Sequence, residues 1–159
     1  MNDQTKHKIE FGDFQTPVWF AQQVCQLLST KALQPCSILE PTCGLGNILL
    51  SVLNEFPSIE MGIGAEINLA YINTLKEQIS FKQHESKLKI LHIDFFNTNW
   101  EEILQTLPDP LLIIGNPPWV TNSALASLGS NNLPQKVIFK IILVLKPLPG
   151  LVILIFLNG

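Results

Sequence analysis

The chain has 159 residues, enough for one domain with a real core and too few for two ordinary ones. Hydrophobic residues make up 47% and charged residues 14%, a balance that excludes intrinsic disorder and suits an α/β protein with buried parallel strands. Formal net charge is −3 and all ten basic residues are Lys, so no surface built to grip phosphates or read guanine edges is evident.

Residues 1–10 are polar and mixed in charge, which predicts a short flexible lead without the apolar stretch of a secretion signal. Cys25, Cys36 and Cys43 are odd in number and unrelated in spacing. They support neither a disulfide framework nor a zinc site, so a cytoplasmic location without a bound metal is the expectation. Thr16 before Pro17 reads as an oxygen-bearing cap, and Val24, Leu27 and Leu28 as the buried stripe of a helix over 17–29. A first strand follows at 37–40. After the turn at Gly44, Leu45 and Gly46, a helix is predicted over 47–56 and closed by Pro57.

A second strand is expected at 62–66, then a helix over 69–81 with apolar spacing at Leu69, Ile72, Leu75 and Ile79. The third strand is placed at 89–93, a short helix at 100–107, and a wholly apolar fourth strand at 111–114. This alternation implies βαβ units and a parallel sheet with helices on both faces. Right-handed crossovers favour the order 3-2-1-4, with winding reversing between strands 1 and 4. The loops after those two strands must then share one crevice.

Residues 40–47 form an acidic, glycine-containing turn between a strand and a helix. A pyrophosphate-binding turn would want a third glycine where Leu49 stands, and the carboxylate of Glu40 opposes a phosphate. A cationic ligand suits it better, and the sulfonium and ammonium of S-adenosylmethionine supply such charge. A tight turn with no ligand is the plainer alternative. Glu66 lies twenty residues after Gly46, the offset at which a carboxylate can accept from both ribose hydroxyls, although a solvated strand end would look the same. Asp94 offers an acceptor for an adenine amino group, with Phe95 as a covering ring unless Phe95 and Phe96 are core residues.

Asn116, Pro117, Pro118 and Trp119 follow the fourth strand. An exocyclic aromatic amine is a poor nucleophile because its lone pair is delocalised into the ring, so both of its hydrogens must be drawn towards acceptors. The Asn116 side-chain carbonyl and the Pro117 main-chain carbonyl can supply the two oxygens, on a loop that the prolines stiffen. Trp119 offers a flat face for a base taken out of the stack.

Residues 40–47, Glu66, Asp94 and 116–119 resemble, in order, the successive motifs of the amino-methylating DNA methyltransferases, whose catalytic signature is Asn-Pro-Pro followed by an aromatic residue. Residues 11–17 (Phe-Gly-Asp-Phe-Gln-Thr-Pro) are similar to the cofactor motif that precedes the sheet in the adenine-N6 subgroup of restriction and modification systems. The resemblance covers about residues 11–136 and implies a Rossmann-like class I methyltransferase fold, incomplete in its C-terminal half. It implies that Phe14, Thr16 and Pro17 line the methionine or adenosine pocket, and that Glu40, Cys43, Gly44 and Gly46 serve the methionine side. Glu66 would serve the ribose, Asp94 with Phe95 the adenine, and Asn116, Pro117, Pro118 and Trp119 the target base. The implied cofactor is S-adenosylmethionine. The implied partner is double-stranded DNA, held through regions largely missing here, with a restriction endonuclease as a further candidate and no membrane.

Protein-glutamine and RNA-guanine methyltransferases also use Asn-Pro-Pro with an aromatic, and a catalytically dead remnant that binds only the cofactor is a further alternative. A nicotinamide dehydrogenase explains neither Leu49 nor residues 116–119. Residues 137–159 hold 16 apolar residues and no acid, interrupted by Lys140, Lys146, Pro147 and Pro149, too broken for a membrane span. They read either as a native helix, loop and fifth strand or, preferred here, as an aberrant tail. A base lost near Lys136 would convert a polar continuation of the methyltransferase into this apolar frame.

Overall fold

A computed structural model describes residues 15–31, 33–116 and 153–156. Five strands form one parallel sheet in the order β3-β2-β1-β4-β5: β1 Ser37–Glu40, β2 Met61–Glu66, β3 Leu88–His92, β4 Leu111–Gly115 and β5 Ile153–Phe156. The first four stand in the expected order, β1 at the centre with its neighbours wound outward on either side. β5 extends the sheet beyond β4, pairing Leu112 with Ile153 and Gly115 with Phe156. It comes from the segment read as an aberrant tail, where the native reading of that tail places a strand.

Strand alternation sorts the core into two layers, because successive side chains point to opposite faces of a sheet. Ile38, Leu112 and Ile114 pack with α1 Val18–Ser29, α2 Asn47–Glu55, α3 Leu69–Glu77 and α4 Ile79–His84. Leu39, Ile63, Ala65, Leu111 and Ile113 pack with Phe95 and with Trp100 and Leu104 of α5 Trp100–Leu104. Both faces are therefore covered, as apolar parallel strands require.

Four local expectations are corrected. The helix cap of α1 is Pro17, extended at φ −61° and ψ 142°, and no side chain caps it. Its carbonyl accepts from Phe20 N and Ala21 N, so the Thr16 hydroxyl is free of that duty and points elsewhere. The buried stripe of α1 runs through Ala21, Cys25 and Leu28, whereas Leu27 is 61% exposed. The helix expected over 69–81 is two helices, because Gln78 is extended and its Nε2 donates to the carbonyl of Leu45. That bond ties the break to the glycine turn. Leu69, at the start of α3, is exposed rather than part of the stripe that Ile72 and Leu75 form.

The missing third glycine has a structural equivalent. In a dinucleotide-binding turn that glycine lets the helix approach the sheet closely. Here Leu49 occupies the helix and the strand gives way instead: a Cβ on Gly64 of β2 would lie 2.8 Å from Leu49 Cδ2 and 3.0 Å from Cys43 Sγ. Close packing is retained with its glycine moved from α2 to β2.

Gly46 carries the backbone into α2 at φ +78°, and a Cβ there would meet Leu75 Cδ1 at 2.4 Å. Leu75 is fully buried and has no room to yield. Left-handed backbone at a non-glycine residue alone costs about 1–3 kcal/mol. Gly46→Ala should therefore destabilise the chain by about 2 kcal/mol or more, read as a lower urea midpoint with an unchanged slope.

Candidate cofactor and acceptor site

The site lies where β1, β2 and β4 end side by side. Because all three run in one direction, the chain leaves each strand at the same edge of the sheet. The turn after β1 holds Cys43, Gly44 and Gly46, the end of β2 holds Glu66, and the end of β4 leads to Asn116. The loops are in contact: Thr42 Oγ1 donates to the Asn116 main-chain oxygen at 3.4 Å, and a Cβ on Gly115 would lie 3.3 Å from Pro41. The glycine turn and Asn116 thus lie side by side at one edge of the sheet, as the strand order requires.

Thr16 brings the segment before α1 into this arrangement. Its hydroxyl accepts from Asn116 Nδ2 at 3.4 Å and its main-chain oxygen accepts from Asn47 Nδ2 at 2.8 Å. With its amide nitrogen donating to Thr16, Asn116 turns its side-chain oxygen to the other side of the amide. Gln15 reaches the turn as well. Its Oε1 accepts from Leu45 N at 3.0 Å, and its carboxamide lies against Gly44 so closely that a Cβ there would clash at 2.3 Å. Gly44 is in the left-handed region at φ +52°, so a side chain is excluded on both grounds.

Two carboxylates frame the turn. Glu66 accepts from Gly44 N at 2.8 Å through Oε2 and from Asn68 N at 2.7 Å through Oε1. It braces the glycine turn and the entry to α3, and each carboxylate oxygen has a second lone pair for a ligand hydroxyl. Glu40 lies deeper, 2% exposed, with Oε2 accepting from Leu49 N at 2.8 Å in the first turn of α2. Burial pushes its carboxyl well above the ordinary value of 4.5, the Leu49 N–H pulls it down in part, and Glu66 pushes it up further. Cys43 is also buried, with its thiol raised by burial and by the two glutamates. Cys25, beneath them on α1, is pushed up to about 12, chiefly by burial.

Asp94 sits beyond β3, beside the end of β2, where Ile93 N donates to the Glu66 main-chain oxygen at 3.1 Å. Its carboxylate accepts from Phe96 N and Asn97 Nδ2, which folds residues 94–98 into a tight loop. The Phe95 ring is 6% exposed and packs against Trp100, whose Nε1 donates to the Phe95 carbonyl at 2.9 Å. That ring belongs to the core layer of Leu39, Ile63 and Trp100, so the covering role expected of it has no exposed face to act through. Ile67, overlooked in the sequence reading, is a better apolar surface: it follows Glu66 directly and is 56% exposed. An aliphatic residue just past a strand-end carboxylate was its only signal. Pro17 is exposed at the head of α1. Phe14, Pro117, Pro118 and Trp119 lie outside the described residues.

The raised Glu40 carboxyl links stability to pH. A folded value above the unfolded one means that the folded state holds the proton more tightly, so the stability this group contributes is fully present below about 4.5 and is lost as pH rises through the folded value. Thermal melts at pH 5 and pH 8 should show a larger loss in the wild type than in Glu40→Gln. The difference should be at least about 3 °C in Tm, and equal losses would contradict an acid held protonated by burial.

No protein-family model matches the chain. Over 131 residues, 82% of the chain, it is 44% identical to the type II methyltransferase M.NspV from Nostoc sp. (strain ATCC 29411 / PCC 7524), and it spans 27% of that relative's length. Among solved structures it is similar to the methyltransferase subunit of a type I restriction-modification system from Streptococcus thermophilus. The TM-score is 0.54 at 20% identity, covering 82% of this chain and 31% of that one. A protein from Pyrococcus horikoshii provisionally assigned as an RNA methyltransferase superposes with a TM-score of 0.52 at 19% identity, covering 66% of this chain and 48% of its own. The latter two likenesses establish the fold. Over those 131 residues the chain thus matches part of a type II methyltransferase, and the solved methyltransferases share its fold.

Proposed function

We propose that the chain binds S-adenosylmethionine across the ends of β1, β2 and β3 and presents Asn116 to the N6 amino group of an adenine in DNA. One observation carries the reading: Asn116, at the end of β4, contacts Thr16 and Thr42 beside the glycine turn, so a cofactor on that turn and an acceptor at Asn116 would be neighbours. The residues present suit a cofactor of that kind. Glu40 and Glu66 meet no basic partner among the described residues, which favours a ligand that brings positive charge. Glu66 supplies acceptor oxygens for ribose hydroxyls, Ile67 an exposed aliphatic surface for a purine, and Asp94 an acceptor near it.

S-adenosylmethionine, when bound, supplies an electrophilic methyl group on a positively charged sulfur. The chain's own task is to prepare the nucleophile. An adenine amino group becomes reactive when its two hydrogens are held by oxygens, which draws the nitrogen out of conjugation. The Asn116 side-chain oxygen is the first acceptor, oriented by the donation of its Nδ2 to Thr16, and the Pro117 carbonyl is the second. By the same reading Pro117 and Pro118 would belong to the acceptor loop and Trp119 would stack on the extruded base. DNA and any nuclease partner would be engaged by the whole protein, of which the chain corresponds to about a quarter of the Nostoc relative's length.

Titration calorimetry with S-adenosylmethionine should show one site per chain. Tritiated cofactor and DNA should then yield label in N6-methyladenine after hydrolysis. Asn116→Ala should lower transfer by at least about a hundredfold and leave cofactor affinity within about twofold, the signature of a contact made to the acceptor. Label recovered on glutamine or RNA would reassign the acceptor, and comparable loss of binding and transfer in the variant would make Asn116 a cofactor residue.

A further inference from the structure

We infer that Glu40 is a charge-selecting residue of the cofactor site, giving up its proton when the cationic cofactor binds and so coupling cofactor uptake to proton release. This rests on the cofactor reading above and adds to it the state of one buried group.

The geometry comes first. Glu40 ends the central strand, is 2% exposed, and has one hydrogen-bond donor, Leu49 N. The groups that act on it are acidic: Glu66 on β2 faces it, Cys43 lies on the turn above, and Cys25 lies on α1, next to Glu55 of α2. No lysine or histidine among the described residues offsets it. A carboxylate in that position has lost its water and gained a like-charged neighbour, so the free protein keeps Glu40 protonated well above the usual carboxylate range.

A ligand carrying a sulfonium and an ammonium on the glycine turn reverses this balance. An opposite charge within about 4–6 Å lowers a carboxyl by about one to three pK units, and the positive end of α2 at Leu49 already favours the anion. The step balances simply: the Glu40 O–H bond breaks, the proton passes to buffer, and the carboxylate remains to neutralise the cation. A neutral ligand of the same shape gives no such exchange. The buried acid therefore selects for charge, while Glu66, held by Gly44 and Asn68, is left to recognise hydroxyls.

Calorimetry of S-adenosylmethionine binding to the 159-residue chain, between pH 6 and 7 in two buffers of different ionisation enthalpy, measures the protons exchanged. That range keeps the ligand's α-amino group, with a value of about 8, in its charged form. The wild type should release up to one proton, with affinity rising by at most about tenfold per pH unit. Glu40→Gln keeps an oxygen for Leu49 N and should bind with no such release and a flat pH dependence. Its thermal melt establishes that it folds. Binding by the wild type with buffer-independent heat, or equal release from the variant, would overturn the inference while leaving the cofactor reading intact. No binding by the wild type at any pH would overturn both.

Discussion

Parallel pairing of β1 with β2 on one side and β4 on the other is the constraint on which the site depends. It places Glu40, Glu66 and Gly115 at one edge of the sheet, so the chain must turn there three times within a few ångströms. Reversal of winding at β1 sends the crossovers to opposite sides and leaves a crevice between the turn after β1 and the loop after β4. The hydrogen bond from Thr42 to the Asn116 carbonyl is the local expression of that arrangement. A sheet of the same composition in another order would separate the two loops and leave the Asn-Pro-Pro-Trp sequence without a neighbour.

The second constraint is electrostatic. Leu49 N–H, exposed by the start of α2, would serve a phosphate in a dinucleotide-binding turn, but Glu40 takes it from below. A carboxyl oxygen of the protein thereby occupies the N–H that such folds commonly offer to a ligand's anion. The consequence reaches the packing, since Leu49 fills the space a glycine would leave and Gly64 of β2 accommodates it. Turn chemistry and helix packing thus both leave Leu49 N–H engaged within the protein, in keeping with the cationic cofactor proposed.

Strand positions were legible from apolar runs bounded by turns, and β1 matched its predicted limits at Ser37 and Glu40. Helical periodicity located α1 to α3 and picked out Leu28, Ile72 and Leu75 as buried, but Leu27 and Leu69 are exposed; α1 turns Ala21 and Cys25 inward instead and packs against α2. The break at Gln78 was not legible, since it depends on a hydrogen bond to Leu45, 33 residues away in sequence. The same holds for the site. Strand-end acids and glycines stand out locally, whereas the roles of Gln15 and Asn47 arise from contacts about thirty residues apart. Phe95 illustrates the converse: its place after Asp94 suggested a ligand-facing ring, but tertiary packing against Trp100 claimed it for the core.

Those distant contacts also explain why a segment preceding the sheet belongs to the site. Residues 15 and 16 form no strand and begin no helix, yet Gln15 binds the turn at Leu45 while Thr16 binds Asn47 and Asn116. These two residues thus touch both the loop proposed for the cofactor and the loop proposed for the acceptor. A carboxamide or hydroxyl can make such bonds because each offers both polarities in a small volume, and the following Pro17 fixes the direction in which α1 departs. The sheet brings the two loops together, and this dipeptide sets the orientation of Asn116 relative to the glycine turn. Removing either leaves the same side chains present without the relative geometry that the proposed methyl transfer would require.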